Sequence, residues 1–339
     1  MVKGFYKRRA LKTVKWGIIF VIGLSLICFI GVTVAHMVVF SRADYDEYPT
    51  DRYLLYEDLN AEEYPRENIS IQSGKNKLAA YLYGVGNRQG LIIISPGHRD
   101  SSDVKLYEIT YFVDAGWMVL SYDLTGCYNS EGASMVGYTQ AVRDLNAVLN
   151  FVEMDEATAG VPVMLFGHSL GGYASAAVLP AGHDVKAVVV ASSFDTPKEQ
   201  WRYSIEHYTG VLHFPLLPFT DLFIALKYGG EADLSAVDGI NAVDIPVLVI
   251  SGADDEYYGG ESQVYAKRGQ VRNPNCAFML MEEPGANGHY DYFLTKEAVA
   301  YQRLVKDKAV QGMIDKNQYM EHDKEFMDML NGFLLAALK

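Results

Sequence analysis

The fold is decided by the stretch Val163-Met164-Leu165-Phe166-Gly167-His168-Ser169-Leu170-Gly171-Gly172. Four apolar residues typical of a buried strand lead into a G-x-S-x-G turn, and a helix rich in small residues follows from Tyr173 to Leu179. A turn of this kind is strained, exposes the serine oxygen and requires glycine where a Cβ would clash. The N-terminus of the following helix offers N–H groups to a developing oxyanion. The stretch therefore predicts a nucleophile elbow, with Ser169 as the nucleophile.

Strands and helices alternate on both sides of this elbow. Near-continuous apolar strands separated by helices indicate an α/β fold with a mostly parallel sheet covered on both faces. The pattern predicts strands at 91–95, 117–123, 163–166, 187–191, 247–251 and 277–281, and helices at 104–115 and 136–154. It also predicts an opening antiparallel hairpin at 69–72 and 78–83, and a helical tail with one buried face at 295–339.

The loops after later strands carry the groups that a serine nucleophile needs. Its hydroxyl requires a base, and the base requires a carboxylate that orients it. Asp254 and Asp255 follow the strand at 247–251, and His289 follows the strand at 277–281. Because the carboxyl ends of parallel strands meet at one edge of the sheet, we expect these groups near Ser169. His289 is therefore the candidate base.

From about Ile69 to the C-terminal helix, the chain resembles α/β-hydrolases, nearest to the branch of serine aminopeptidases and monoacylglycerol lipases. The elbow of that branch often reads G-H-S-M-G-G, and residues 167–172 here read G-H-S-L-G-G. The resemblance implies Asp255 as the acid, three residues after the glycine that ends its strand. Asp254 is the alternative, and Asp195 is a weaker one.

The resemblance also identifies two loops. It implies that the backbone amides of His98 and Leu170 bind the oxyanion, since Ser95-Pro96-Gly97-His98 replaces the usual loop beginning His-Gly. The stretch from Asp123 to Gly132 is similar to the family segment D-x-R-G-x-G-x-S-x-G. Here Thr125 replaces the arginine and Tyr128 replaces a glycine.

The N-terminal segment predicts a membrane anchor. From Trp16 to Phe40 there is no Asp, Glu, Lys or Arg, and a helix of that length reaches about 37 Å, more than the roughly 30 Å hydrocarbon core of a bilayer. Residues 1–15 form a basic tail without acids. The positive-inside rule keeps that tail in the cytoplasm and exports the rest. The alternative is a signal peptide cleaved after Ala35.

Composition excludes several other classes of protein. The net charge is −13, and six of the 29 Lys and Arg residues lie in the first fifteen positions, which leaves 23 against 42 acidic residues beyond them. That excess of acid argues against nucleic acid as a partner. Three cysteines cannot make a disulfide framework, and we expect Cys127 and Cys276 to be unpaired. No metal or cofactor motif is present, so no cofactor is expected.

Two segments do not follow the regular alternation of strands and helices. One precedes the domain at 67–339, and the other is an insertion within that domain. Residues 41–66 are acidic and rich in tyrosine, and we interpret them as a stalk or lead-in. The interval of about 194–245 contains Trp201 and the segment from Pro215 to Pro218, and it is long for a connection inside a compact domain. It predicts a helical cap over the active site, and its aromatic residues favour a small or medium apolar acyl group.

Together these features predict a membrane-anchored extracytoplasmic serine hydrolase that cleaves an ester, thioester or amide of a small-molecule acyl substrate. Ser169, His289 and Asp255 are the expected catalytic residues. Fold and triad do not choose among the substrates. An acyltransferase using the same triad and a non-catalytic binding protein are the alternatives.

Overall fold

The structure, a computed structural model, describes residues 2–310 and 312–339, with side chains from residue 11 onward. The chain divides into two compact units. The catalytic unit comprises Ser41–Pro197 and Leu234–Lys339. The helical unit comprises the chain up to Phe40 together with Lys198–Asp233.

An eight-stranded sheet forms the centre of the catalytic unit. The strands are β1 Arg66–Ser73, β2 Asn76–Tyr83, β3 Leu91–Ser95, β4 Met118–Tyr122, β5 Val163–His168, β6 Val185–Ala191, β7 Val247–Gly252 and β8 Cys276–Met281. Their order across the sheet is β1-β2-β4-β3-β5-β6-β7-β8. The β1/β2 and β2/β4 pairs are antiparallel, and the other pairs are parallel. The predicted mostly parallel sheet with an opening hairpin is therefore confirmed.

Helices connect the strands of the sheet and also form the helical unit. The helices are α1 Val2–Val39, α2 Leu106–Asp114, α3 Tyr138–Met154, α4 Leu170–Ala177, α5 Pro197–Thr209, α6 His213–Tyr228, α7 Ala236–Asn241, α8 Gln263–Ala266, α9 Lys296–Lys306, α10 Lys316–Tyr319 and α11 Lys324–Ala336. Every residue of β3, β4 and β5 is buried, as expected for strands covered on both faces. The tail is broken into α9, α10 and α11, and α11 buries Phe326, Met327, Leu330 and Leu334.

The lead-in at 41–66 packs against the catalytic unit. The Arg42 guanidinium donates hydrogen bonds to the backbone carbonyls of Tyr128, Ser130 and Gly132 at 2.5–3.0 Å. Tyr48 is buried, and its hydroxyl donates to the Leu54 carbonyl at 3.0 Å. The lead-in is thus an ordered part of the catalytic unit, held by backbone acceptors that do not depend on the loop's side chains.

The helical unit consists of α1 and the pair α5 and α6. Aromatic side chains carry the packing: the ring centroids of Phe29 and Phe223 lie 6.4 Å apart, and those of His36 and Trp201 lie 5.4 Å apart. His36 Nε2 and the Tyr228 hydroxyl are 3.0 Å apart. Within the residues that the structure describes, two helical stretches are long and apolar enough to cross a membrane, namely Leu11–Val39 and Pro197–Asn241.

Candidate active site

The elbow places Ser169 between β5 and α4. Its backbone φ is 55° and its ψ is −119°, a conformation that non-glycine residues rarely adopt and that costs on the order of 1–3 kcal/mol. The neighbouring glycines permit the tight turn, because a Cβ on Gly167 would strike the backbone of Gly171. A Cβ on Gly171 would strike the carbonyl of Ser95 at the end of β3. The sequence at these positions therefore allows the close approach of β3, β5 and α4.

His289 is held by a buried carboxylate. Its Nδ1–H donates a hydrogen bond to Asp255 Oδ2 at 2.7 Å. Asp255 is fully buried and His289 is 7% exposed. Asp255 Oδ1 accepts a second bond from the Tyr257 backbone N–H at 3.0 Å, which fixes the carboxylate. With Nδ1 bound to Asp255, Nε2 is the imidazole nitrogen that can accept a proton.

The two alternative acids have other partners. Asp254 Oδ2 accepts a hydrogen bond from Asn287 Nδ2 at 2.6 Å. Asp195 pairs with Lys267 at 2.7 Å and accepts from the Ser235 hydroxyl at 2.6 Å. Among the three candidate carboxylates, Asp255 is the one that contacts the imidazole.

Two further side chains position His289 through its backbone. Glu256 Oε2 accepts the His289 backbone N–H at 2.8 Å, and His168 Nε2–H donates to the His289 carbonyl at 2.9 Å. Burial, together with the neighbouring His289 and Lys105, holds the pKa of His168 well below its ordinary value. A neutral His168 carries one ring N–H, and the bond to the carbonyl places that hydrogen on Nε2.

Ser169 and His289 line one cavity of about 310 Å³. His98, at the end of the loop after β3, lines the same cavity. Leu170 is the first residue of α4, so its amide is among the helix N–H groups that lack an intrahelical partner. The structure thus brings Ser169, His289 and His98 to one cavity, with Leu170 directly after the serine.

The loop after β4 is organised by buried carboxylates. Asp123 accepts hydrogen bonds from the backbone N–H groups of Ser102 at 2.8 Å and Asn129 at 3.2 Å. Burial raises the pKa of Asp123 to about 6. Thr125, which stands where the family has arginine, donates from its amide and its hydroxyl to Asp144 at 2.8 and 2.9 Å. These two bonds anchor the loop at Thr125 to α3, which carries Asp144.

A charged network lies beside the cavity. Lys105 and Glu108 pair at 3.1 Å, with side chains 2% and 0% exposed. Glu108 also accepts from the Tyr290 hydroxyl at 2.8 Å, and His322 Nε2 lies 3.4 Å from its second oxygen. Burial opposes ionisation of Glu108, but the charge of Lys105 and the contact with His322 outweigh it and lower the pKa of this carboxyl. Glu108 is therefore an ionised, buried group.

Sequence reasoning missed several residues of the cavity. Tyr53, Lys105, Glu256 and Tyr257 all line it. Glu256 and Tyr257 directly follow Asp255, so their place after β7 was a usable signal. Tyr53 and Lys105 gave no comparable signal, because one lies in the lead-in and the other in a short turn before α2.

In the described part of the chain, no group of three or more His, Cys, Asp and Glu residues could hold a metal ion. Cys127 and Cys276 are free, as expected.

Comparison with known proteins identifies a family match and structures with the same fold. Residues 86–219 match the family model of the S33 serine aminopeptidases. No curated protein sequence matches the chain. Among solved structures, an esterase of Pyrococcus furiosus is similar with a TM-score of 0.57 and 15% identity, over 87% of this chain and 98% of that one.

Two other solved structures share the fold. Acetyl xylan esterase 1 of Thermoanaerobacterium has a TM-score of 0.55 and 14% identity, over 83% of this chain and 86% of that one. The acylaminoacyl peptidase of Pyrococcus horikoshii has a TM-score of 0.51 and 15% identity, over 69% of this chain and 39% of that one. The strand order and the elbow are those of the α/β-hydrolase fold, and residues 86–219 match the serine aminopeptidase family within it.

Proposed function

We propose that this protein is a membrane-anchored, extracytoplasmic serine hydrolase that cleaves an ester, thioester or amide of a small to medium acyl substrate. The observation that carries the proposal is one cavity lined by Ser169, on its strained turn, and by His289, whose Nδ1–H is bound to the buried Asp255. A serine in that conformation beside an oriented imidazole has little structural use other than nucleophilic catalysis.

The reaction proceeds through an acyl-enzyme. His289 Nε2 accepts the hydroxyl proton as Ser169 Oγ forms a bond to the substrate carbonyl carbon, and the imidazolium then protonates the leaving group as its bond to that carbon breaks. Water then gives a proton to His289 as its oxygen forms a bond to the acyl carbon, and His289 returns that proton to Ser169 Oγ as the bond between Oγ and the acyl carbon breaks. Asp255 holds the imidazole in the required tautomer throughout and stabilises its charged form.

The tetrahedral intermediate requires hydrogen-bond donors for its oxyanion. We assign this role to the backbone amides of His98 and Leu170. His98 lies in the loop that ends β3 and lines the cavity, and Leu170 begins α4. Donors fixed by the backbone need no reorganisation as charge develops, and the loss of one such donor costs about 10²–10³ in rate in other hydrolases.

The cavity favours small, uncharged or cationic substrates. Its volume of about 310 Å³ is at the lower end of the range for ligand pockets. Carboxyl groups of Asp100, Glu256 and Asp291 line it, and the single lysine of the lining, Lys105, is paired with Glu108. An anionic group next to the scissile carbonyl would meet these carboxyls, so we expect neutral esters to be cleaved faster than their acidic analogues.

Labelling with a fluorophosphonate probe tests the central proposal. We expect the full-length protein to be labelled, the Ser169→Ala variant not to be labelled, and the His289→Ala variant to react far more slowly. Ser204→Ala is a matched control, because that hydroxyl on α5 bonds to the Gln200 carbonyl within its own helix. A folded wild-type protein that resists the probe would overturn the proposal in favour of a binding protein. Product analysis with added alcohols then separates hydrolysis from acyl transfer.

The anchor and its orientation have a separate test. Leu11–Val39 is long and apolar enough to span a membrane, and the basic residues of the first fifteen positions lie before it and in its first five residues. We expect the protein to stay in the membrane fraction after carbonate extraction. In intact spheroplasts, added protease should digest a C-terminal epitope and spare an N-terminal one. The opposite pattern, or a mature chain beginning after Ala35, would refute the proposed topology.

A further inference from the structure

The connection between α5 and α6 carries a cluster of exposed apolar side chains, which we call the hairpin tip. Val211 is 80% exposed, Leu212 is 64% exposed and Phe214 is 67% exposed. Three large apolar side chains in four consecutive positions form a contiguous patch, and such patches mark surfaces that meet protein or lipid.

Charge is absent from the tip and its flanks. From Tyr208 to Thr220 the sequence contains no Asp, Glu, Lys or Arg. The ion pairs of α5 and α6 lie farther toward the base of the hairpin: Arg202 Nε donates to Asp221 Oδ1 at 2.6 Å, and Lys198 pairs with Asp233 at 3.3 Å. This distribution fits an apolar environment at the tip and an aqueous or headgroup environment at the base.

The hairpin packs along α1 in a defined direction. Tyr228, at the end of α6, contacts His36, and Phe223, five residues earlier, contacts both His36 and Phe29. Later residues of α6 therefore contact later residues of α1, so the two helices are parallel. The start of α6 lies about 22 Å from Tyr228 along the helix axis, on the side of the N-terminal half of α1.

We propose that the hairpin tip embeds in the hydrocarbon core of the same lipid bilayer that α1 crosses. This inference rests on the membrane span proposed above. The exposed apolar surface of α1, which includes Phe20, Ile22 and Ile27, would contact lipid in a span, and the tip adds to that surface within the same unit. His36, Trp201 and Tyr228 cluster at the base, where a headgroup layer favours aromatic side chains with a polar atom.

Lipid quenching of a fluorophore in the full-length protein tests the proposal. Cys28 and Cys276 are replaced by serine, while Cys127 is buried and stays. An environment-sensitive fluorophore is then attached to Leu212→Cys, and the protein is reconstituted in vesicles of neutral phospholipid. Spin-labelled phospholipids carry the quencher either near the headgroup or deep in the acyl chain. Val21→Cys on α1 is the control for a span, and the 96% exposed Met313, as Met313→Cys, is the control for water.

We expect the label at Leu212 to lose most of its emission to spin-labelled lipid, and the label at Met313 to lose almost none. The ratio of deep to shallow quenching should be larger at Leu212 than at Leu226→Cys, which lies near the base of the hairpin. A blue-shifted Leu212 label without lipid quenching would mean that protein covers the tip, either a second copy or the chain itself, and would overturn the proposal. A water-like Leu212 label would overturn it as well.

The control on α1 separates two kinds of failure. If the Val21 label is quenched and the Leu212 label is not, the anchor stands and the hairpin proposal falls. If neither label is quenched, the span itself is wrong, which the carbonate extraction would show independently. Neither readout depends on hydrolysis, so an inactive enzyme leaves the result unchanged.

Discussion

The two units of this molecule differ in which side chains they bury and which they expose. The catalytic unit buries ionisable groups in pairs: Lys105 with Glu108, and Asp255 with His289. The helical unit exposes large apolar side chains, and its ion pair between Arg202 and Asp221 lies at the surface, with both side chains more than a third exposed. The first arrangement suits a site that performs proton transfer, and the second suits contact with an apolar phase.

The same comparison predicts which substitutions should change activity or stability most. A buried charge that loses its partner keeps its full desolvation cost, whereas an exposed charge is hydrated by water. Changes to the buried pairs of the catalytic unit should therefore have large effects, and changes to exposed pairs should have small ones.

The largest effect should follow from changing the acid beside His289. We expect Asp255→Asn to lower the rate of ester hydrolysis by about 10³–10⁴, because an amide in that position favours the wrong tautomer of the imidazole. Asp254→Asn is the matched control and should change the rate by less than about tenfold, since Asp254 bonds to Asn287 instead. If kcat/KM fell equally in both variants, the assignment of Asp255 rather than Asp254 as the acid would be contradicted.

The next effect concerns the buried pair of Lys105 and Glu108. We expect Lys105→Met to lower the free energy of unfolding by about 3–5 kcal/mol, because it leaves Glu108 charged and buried without its lysine. Chemical denaturation of the full-length protein in detergent measures the change. The double variant Lys105→Met with Glu108→Gln should recover part of the loss. A double variant less stable than the single one would argue against an electrostatic cause.

A smaller effect, which depends on pH, should come from Asp123. Its folded pKa is about 6, above the ordinary value of 3.8, so between these two pH values the folded state binds more protons than the unfolded state. Stability should therefore fall as pH rises from about 4 to about 6, by roughly 3 kcal/mol at most. Asp123→Asn should lack this part of the decline. Denaturation midpoints of both proteins at several pH values provide the check, and parallel pH profiles would contradict it.

The smallest effect should come from an exposed pair in the catalytic unit. Lys186 and Asp184 are 2.6 Å apart, with side chains 40% and 81% exposed. We expect Lys186→Met to change the free energy of unfolding by less than about 1 kcal/mol. A loss as large as that of Lys105→Met would mean that exposure does not separate the two classes of ion pair.

Local patterns predicted much of the fold and of the candidate site. Runs of apolar residues placed the strands, and the turn at Gly167–Gly171 identified Ser169, because both signals lie within a few consecutive residues. The choice between Asp254 and Asp255 was harder, because both follow the same strand and the side chain of Asn287 holds one of them away from the imidazole.

Features formed by distant segments could not be predicted in this way. The network of Glu108 joins α2 to His322, which lies more than two hundred positions later in the sequence. No local sequence pattern predicts a contact between residues so far apart. The packing of α6 along α1 joins segments that are similarly far apart. The sequence predicted a helical insertion at about 194–245, but its association with the N-terminal helix depends on side chains that meet only in the folded chain.

The position of Tyr53 determines how much of the chain before β1 a soluble form of the catalytic unit must keep. A protease that cuts before Ser41 would shed a catalytic unit that keeps the Arg42 bonds and the tyrosine in the cavity wall. A cut only a dozen or so residues later would release a fragment whose cavity lacks Tyr53. Secreted or recombinant soluble versions should therefore begin near residue 41, and a version trimmed to the first strand should bind substrate less selectively even with its triad complete.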